Sequence, residues 1–132
     1  MNPVKIEAGL VAALGPFFPG VEIYRGTASS VQAPESLNLV ASCPRMTHVG
    51  GPLYYAECVL QMTGPALYGA KIFGDLGAAI TAFETALTSP EFSAGWPEGS
   101  PTFCGLYVQE TSNQSQGGEW DVSIMVRLGV SQ

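Results

Sequence analysis

The side chains in this sequence with thiol or imidazole chemistry are Cys43, His48, Cys58 and Cys104, and three of them fall in one stretch, CPRMTHVGGPLYYAEC. A cysteine at each end and the single histidine between them suggest zinc or a cysteine–histidine nucleophile. Zinc takes about four ligands in a structural site and three in a catalytic one. The four candidates would suffice in number, but none lies within two or three residues of another, the spacing that knuckles and ribbons use. In LYYAECVLQM, Cys58 alternates in step with Tyr54, Ala56, Leu60 and Met62, which is the company of a packing thiol. An odd cysteine count without a C-x-x-C pair reads as reduced, buried thiols in a reducing compartment, with no metal and no cofactor.

The second candidate is GPALYGAKI, Gly64 to Ile72, which follows a predicted strand and nearly spells the phosphate-cradling loop G-x-x-x-x-G-K-[ST]. It fails where the chemistry is decided. Lys71 comes one residue late, Ile72 has no hydroxyl for magnesium, and Pro65 removes an amide that a phosphate nest uses. No G-x-S-x-G elbow presents a serine, and any nucleophile would depend on His48 as its base. Glu119 and Asp121 share one face of a predicted strand, but no second acidic pair faces them. No catalytic residue is assigned, and the chain is not read as an enzyme.

The elements that position these residues give the opening stretch a plainer meaning. An amphipathic helix is expected over Pro3–Leu14, with Ile6, Leu10 and Leu14 on one face and Gly15-Pro16 ending it. VEIYRG and LNLVASC read as strands separated by the polar loop TASSVQAPES, and LYYAECVLQMT alternates as a third. CPRMTHVGGPLYYAEC is then a hairpin: the end of one strand, an extended loop PRMTHVGGP, and the start of the next. Within that loop Arg45, Met46, Thr47, His48 and Val49 mix a cation, a thioether and apolar groups, so they are the candidate partner-contact residues. DLGAAITAFETAL changes to helical period, with Asp75 as its cap and Pro90 after its end. SAGWPEGSP is a connection, and TFCGLYVQE and EWDVSIMVRLGV form a hairpin around TSNQSQGG. The expected fold is a single α+β domain, residues 1–132, with a mainly antiparallel sheet of about five strands packed against two or more helices.

Composition narrows the function further. The chain is 46% hydrophobic and only 12% charged, against roughly 25% charged in ordinary soluble proteins, so much of its surface is uncharged and suited to neighbours. Five scattered basic residues and a net charge of −6 provide no cluster for phosphates, which argues against specific nucleic-acid binding. The N-terminal apolar stretch imitates a signal peptide, but Glu7 interrupts it and the helical spacing explains it better. No run approaches the ~18 apolar residues of a membrane span.

Taken in order, IEAGLVAAL, VEIYRG, LNLVASC, LYYAECVLQM, DLGAAITAFETAL and GGEWDVSIMVRLGV resemble the elements of tail terminator (tail completion) proteins of long-tailed bacteriophages. The stretch TGPALYGAKIFG is longer than the direct connection that the family's pattern implies, so it is either an added helical turn or a departure from the family. The resemblance implies a structural virion protein, located at the tail–neck junction and assembled in the bacterial cytoplasm. Its implied partners are other copies of itself in a homohexameric ring, the tail tube protein, and the head-closure or connector protein, with DNA passing through the ring unbound. Another neck component, a head-closure or connector adaptor, is the alternative, followed by a small-ligand-binding domain.

Overall fold

The computed structural model describes residues 2–27, 36–99 and 101–132, so most of the expected TASSVQAPES loop lies outside the described residues. The first helix, α1, spans Pro3–Leu14. Asn2 caps it by accepting from the Val4 amide at 3.0 Å, and Pro3 occupies a first-turn position where its missing N–H costs nothing. The 3-10 turn Gly15–Phe17 follows. Ile6, Leu10, Ala13 and Leu14 are buried, so the helical spacing in the sequence marks the face that meets the sheet.

Five strands follow the order β1-β2-β3-β5-β4 in one sheet: β1 Val21–Arg25, β2 Leu37–Gly50, β3 Leu53–Pro65, β4 Thr102–Asn113 and β5 Glu119–Ser131. β1 runs parallel to β2, from Val21 opposite Leu37 to Arg25 opposite Ala41; every other pairing is antiparallel. Rows of apolar side chains cross the inner face, among them Leu39–Met62–Val122, Ala41–Leu60–Ile124 and Ala56–Leu128. Against them pack α1 and the helices that link β3 to β4: α2 Ala66–Phe73, α3 Leu76–Leu87 and α4 Pro90–Gly95. Phe83 of α3 is fully buried, with its ring centroid 4.2 Å from Phe18 and 5.6 Å from Phe73, and so ties α3 to α2 and to the end of α1. Phe92, Trp96 and Phe103 form a second aromatic group joining α4 to β4. Burying each such side chain contributes about 1.5–3 kcal/mol.

Two expectations need correction, and one open choice is decided. The extended loop PRMTHVGGP is strand: β2 continues to Gly50, and only Gly51-Pro52 turns the chain into β3. The cause is a β-bulge, in which Cys43 and Pro44 together stand opposite Cys58; proline tolerates a bulge, and the pairing resumes at Arg45–Glu57. The connection before β4 contains α4, because Pro90 begins a helix after its Ser89 cap instead of closing the previous one. TGPALYGAKIFG is a full eight-residue helix with strand residues before it, which resolves the two possibilities left open for it. The hairpin around TSNQSQGG is present, and Gly117 and Gly118, at φ +61° and +80°, supply the positive φ that its two-residue turn requires.

Candidate assembly surface

The structure separates the residues that could have done thiol or imidazole chemistry. His48 stands opposite Tyr54 at the tip of the hairpin, its Nε2 2.7 Å from the Gly51 carbonyl oxygen. Cys58 lies four residues along β3 from Tyr54, roughly 13 Å at strand rise, so the histidine and that thiol do not meet. Cys43 and Cys58 are buried neighbours, and the Cys58 thiol is pushed well above its ordinary range by its hydrogen bond to Cys43 and then by burial. Cys104 is exposed on β4, contrary to the expectation of a buried thiol, because the register slips between Phe103 and Gly105 on an edge strand. Among the described residues, no group of three or more His, Cys, Asp or Glu side chains could hold a metal ion.

The glycines of the phosphate-loop lookalike have packing roles. A Cβ on Gly64 would lie 2.6 Å from the Ser36 carbonyl oxygen, and one on Gly69 would lie 2.1 Å from the Trp120 ring. The first lets β3 end against the start of β2; the second lets α2 sit flat on Trp120. Of the acidic residues Glu119 and Asp121, Asp121 accepts from Gln61 Nε2 at 3.2 Å across the strands.

One buried carboxylate escaped the sequence reading. Glu7, which appeared only as an interruption of an apolar run, is 3% exposed on α1. Its Oε1 accepts from the Thr27 amide at 3.1 Å and the Thr27 hydroxyl at 2.8 Å, and its Oε2 accepts from the Cys43 amide at 3.3 Å. It therefore holds the end of β1 and the bulge of β2 together, at the point where β1 no longer covers β2. A charged residue among the apolar positions of an amphipathic helix was the available signal.

The bulge divides the five candidate contact residues. Before it the odd-numbered residues of β2 face the helices; after it the even-numbered ones do, so Met46 lies on the inner side in the row of Ala56 and Leu128. Arg45 and Thr47 lie on the outer face, His48 pairs with Tyr54, and Val49 is the extra residue in a second register shift at the tip. On the outer face Arg45, Glu57, Arg127 and Tyr107 form one row across four strands. Glu57 accepts from Arg127 at 2.8 Å, which raises the guanidinium pKa further, and lies 3.8 Å from Arg45. The Arg127 guanidinium also sits over Tyr55 at 5.3 Å and Tyr107 at 5.8 Å.

Among the described residues no helix covers this face. Of the eight large hydrophobic residues exposed among the described residues, Leu53, Tyr55, Tyr107 and Met125 belong to it and Val49 borders it, so exposed apolar area is concentrated where packing is missing. A depression of about 250 Å³ opens beside the bulge between Pro44, Arg45, Glu57, Val59 and Met125. Tyrosine, arginine and methionine are the residues that interface centres favour, and Glu57 already holds Arg127 in place. Chemically the surface is suited to binding a partner.

No protein-family description matches this chain. No curated protein matches it in sequence. Its architecture does have a solved counterpart. A chain in the structure described as the virion of a native gene transfer agent particle superposes with a TM-score of 0.54 at 16% identity, over 98% of this chain and 90% of that one. The likeness is one of fold, and it runs from end to end of both chains.

Proposed function

We propose that this protein is a structural subunit of a phage-like particle. In this reading it forms a six-membered ring that caps the tail tube, ends its polymerisation and joins the tail to the head-side connector. The observation that carries the reading is the fold likeness to a chain of a gene transfer agent virion over nearly the full length of both chains. The outer sheet face supports it: a domain whose exposed apolar side chains gather on one uncovered sheet is suited to assembly. Arg45 and Thr47 act in partner contact from the outer face and Val49 from the hairpin tip, while Met46 and His48 shape the strand behind them. Few cations and a net charge of −6 let DNA pass, because repelled phosphates release no counterions and gain no binding free energy.

The test is to add the purified protein to polymerising tail tubes and image their ends by electron microscopy. Tubes should stop growing and carry a ring at one end. Tubes that elongate unchanged would sink the terminator role. Rings found only on the head-side connector would assign the protein to the neighbouring neck position.

A further inference from the structure

The sheet has two lateral edges, and among the described residues both are open. β4 forms one along its whole length, from Thr102 to Asn113. On the other side β1 covers β2 only up to Ala41, and among the described residues nothing but β3 pairs with β2 beyond it. Such edges present main-chain donors and acceptors, and proteins that must stay single guard them with lysine, proline or a covering element. β4 contains neither lysine, arginine nor proline, and in the part of β2 beyond β1 the guards are Pro44, which is confined to the bulge, and Arg45, so Met46–His48 carries none.

The two edges also correspond in height. Following the pairings across the sheet, Arg45 is level with Glu57, Arg127 and Tyr107, and Thr47 is level with Tyr55, Gly129 and Gly105. Arg45–His48 is the regular stretch of β2 between its two register shifts, and Gly105–Val108 is the regular stretch of β4 between its own two. At these levels β2 runs opposite in direction to β4. In neighbouring subunits related by rotation about an axis along the strands, the two stretches would therefore meet antiparallel. Lower down, Arg25 closes β1 level with Ala41, which is level with Leu60, Ile124 and Thr111, beside Glu110. The second shift of β4, between Val108 and Glu110, falls where β1 stops, so it can bend β4 past the end of that strand.

We infer that neighbouring copies of this chain join edge to edge, with β4 of one subunit pairing antiparallel to Arg45–His48 of the next. In that arrangement Arg45 lies across from the exposed Tyr107 ring of the neighbour, both on the outer face. The contact uses two different patches of each subunit, as ring closure by rotation requires. This rests on the ring proposed above and specifies the edges that build it.

Disulfide trapping tests it. Cys104 lies on the outer face beside Gly129, where a Cβ on Gly129 would be 3.8 Å from the Cys104 Cβ, so it is on the same face and near the same height as Thr47. Paired strand residues on one face bring their Cβ atoms to about 4.5–5.5 Å, close enough for a bond after small adjustment. Thr47→Cys, and separately Arg45→Cys, would be prepared in the full chain and oxidised by dissolved oxygen with copper–phenanthroline as catalyst. Each bond formed passes two electrons and two protons from two thiols to oxygen.

A ladder of covalent oligomers up to the ring number is expected on a non-reducing gel from Thr47→Cys and abolished by adding Cys104→Ser, while Arg45→Cys, two residues out of register with Cys104, should give little cross-linking. Native mass spectrometry of the unoxidised protein runs alongside. A ring mass with no ladder from Thr47→Cys overturns the edge pairing and leaves the ring standing. A ladder stopping at a Cys104–Cys104 dimer, already present in the wild-type chain, also overturns it. A protein that forms neither ring nor ladder, alone up to its solubility limit and when mixed with tail tubes, overturns both.

Discussion

Replacing Glu7 by alanine tests whether this carboxylate sets the junction of α1, β1 and the β2 bulge. The Cys43 amide lies in a residue that is 5% exposed, and it loses its acceptor without gaining water, which costs about 1–3 kcal/mol. Thr27 is exposed, so its amide and hydroxyl regain water and their loss costs only about 0.5–1 kcal/mol. Removing the buried Cγ methylene adds roughly 0.8 kcal/mol. Against this, alanine has the better helix propensity by a few tenths of a kcal/mol, and the burial cost of a carboxylate disappears. The net expectation is a loss of about 2–4 kcal/mol, a large share of the ~5–15 kcal/mol that holds such a domain. Glu7→Gln keeps the volume and one acceptor and should lose roughly half as much. Urea unfolding gives the difference, and amide hydrogen exchange gives its location: Cys43 should lose protection before the centres of β3 and β5. A Glu7→Ala protein within about 0.5 kcal/mol of wild type, with Cys43 still protected, would refute the account.

Gly69→Ala should destabilise the protein by about 1–2 kcal/mol although alanine favours helix, because the new Cβ would overlap the Trp120 ring; a higher urea midpoint would contradict this. Phe83→Ala removes the ring that ties α2 and α3 to Phe18 and should lose about 3–5 kcal/mol by the same assay. With a chromogenic disulfide reagent, Cys104 should react at once and Cys43 and Cys58 only on unfolding; prompt reaction of more than one thiol per chain would show that the Cys43–Cys58 pair is not buried as described. Tyr107→Ala and Tyr55→Ala should leave unfolding within about 0.5 kcal/mol of wild type and still lower the yield of completed particles; normal yields from both would remove the outer face from assembly.

Sequence legibility followed periodicity. Ile6, Leu10 and Leu14, the alternation of Ala56, Cys58, Leu60 and Met62, and that of Trp120 through Leu128 each report a buried face, because burial selects every second or every third to fourth side chain. The reading failed where period or punctuation changed meaning. At Cys43-Pro44 one added residue reverses the inward set, so alternation counted straight through β2 ends too early. At Pro90 the same residue type serves as stop or start, and only the Ser89 cap and buried Phe92 decide between them. Cys104 was misplaced for a related reason, since a local shift on an edge strand turns a thiol outward and no property of cysteine announces it.

The bulge also links local sequence to the proposed assembly. Without it Cys43 would be followed inward by Arg45 and Thr47, which would bury a guanidinium against the helices while Met46 and His48 faced outward. With it, Arg45 joins the row of Glu57, Arg127 and Tyr107, and the thioether of Met46 turns toward the core. Glu7 then has a mechanical role beyond stability: by holding the Cys43 amide it fixes where the inversion occurs, and so which residues reach the outer face. A Glu7→Gln protein that folds but lets the bulge migrate should keep its circular dichroism and lose the Thr47→Cys to Cys104 cross-link. If Glu7→Gln is introduced into the Thr47→Cys chain and the ladder forms at an unchanged rate, the carboxylate has no part in setting the outer face, and its role is confined to stability.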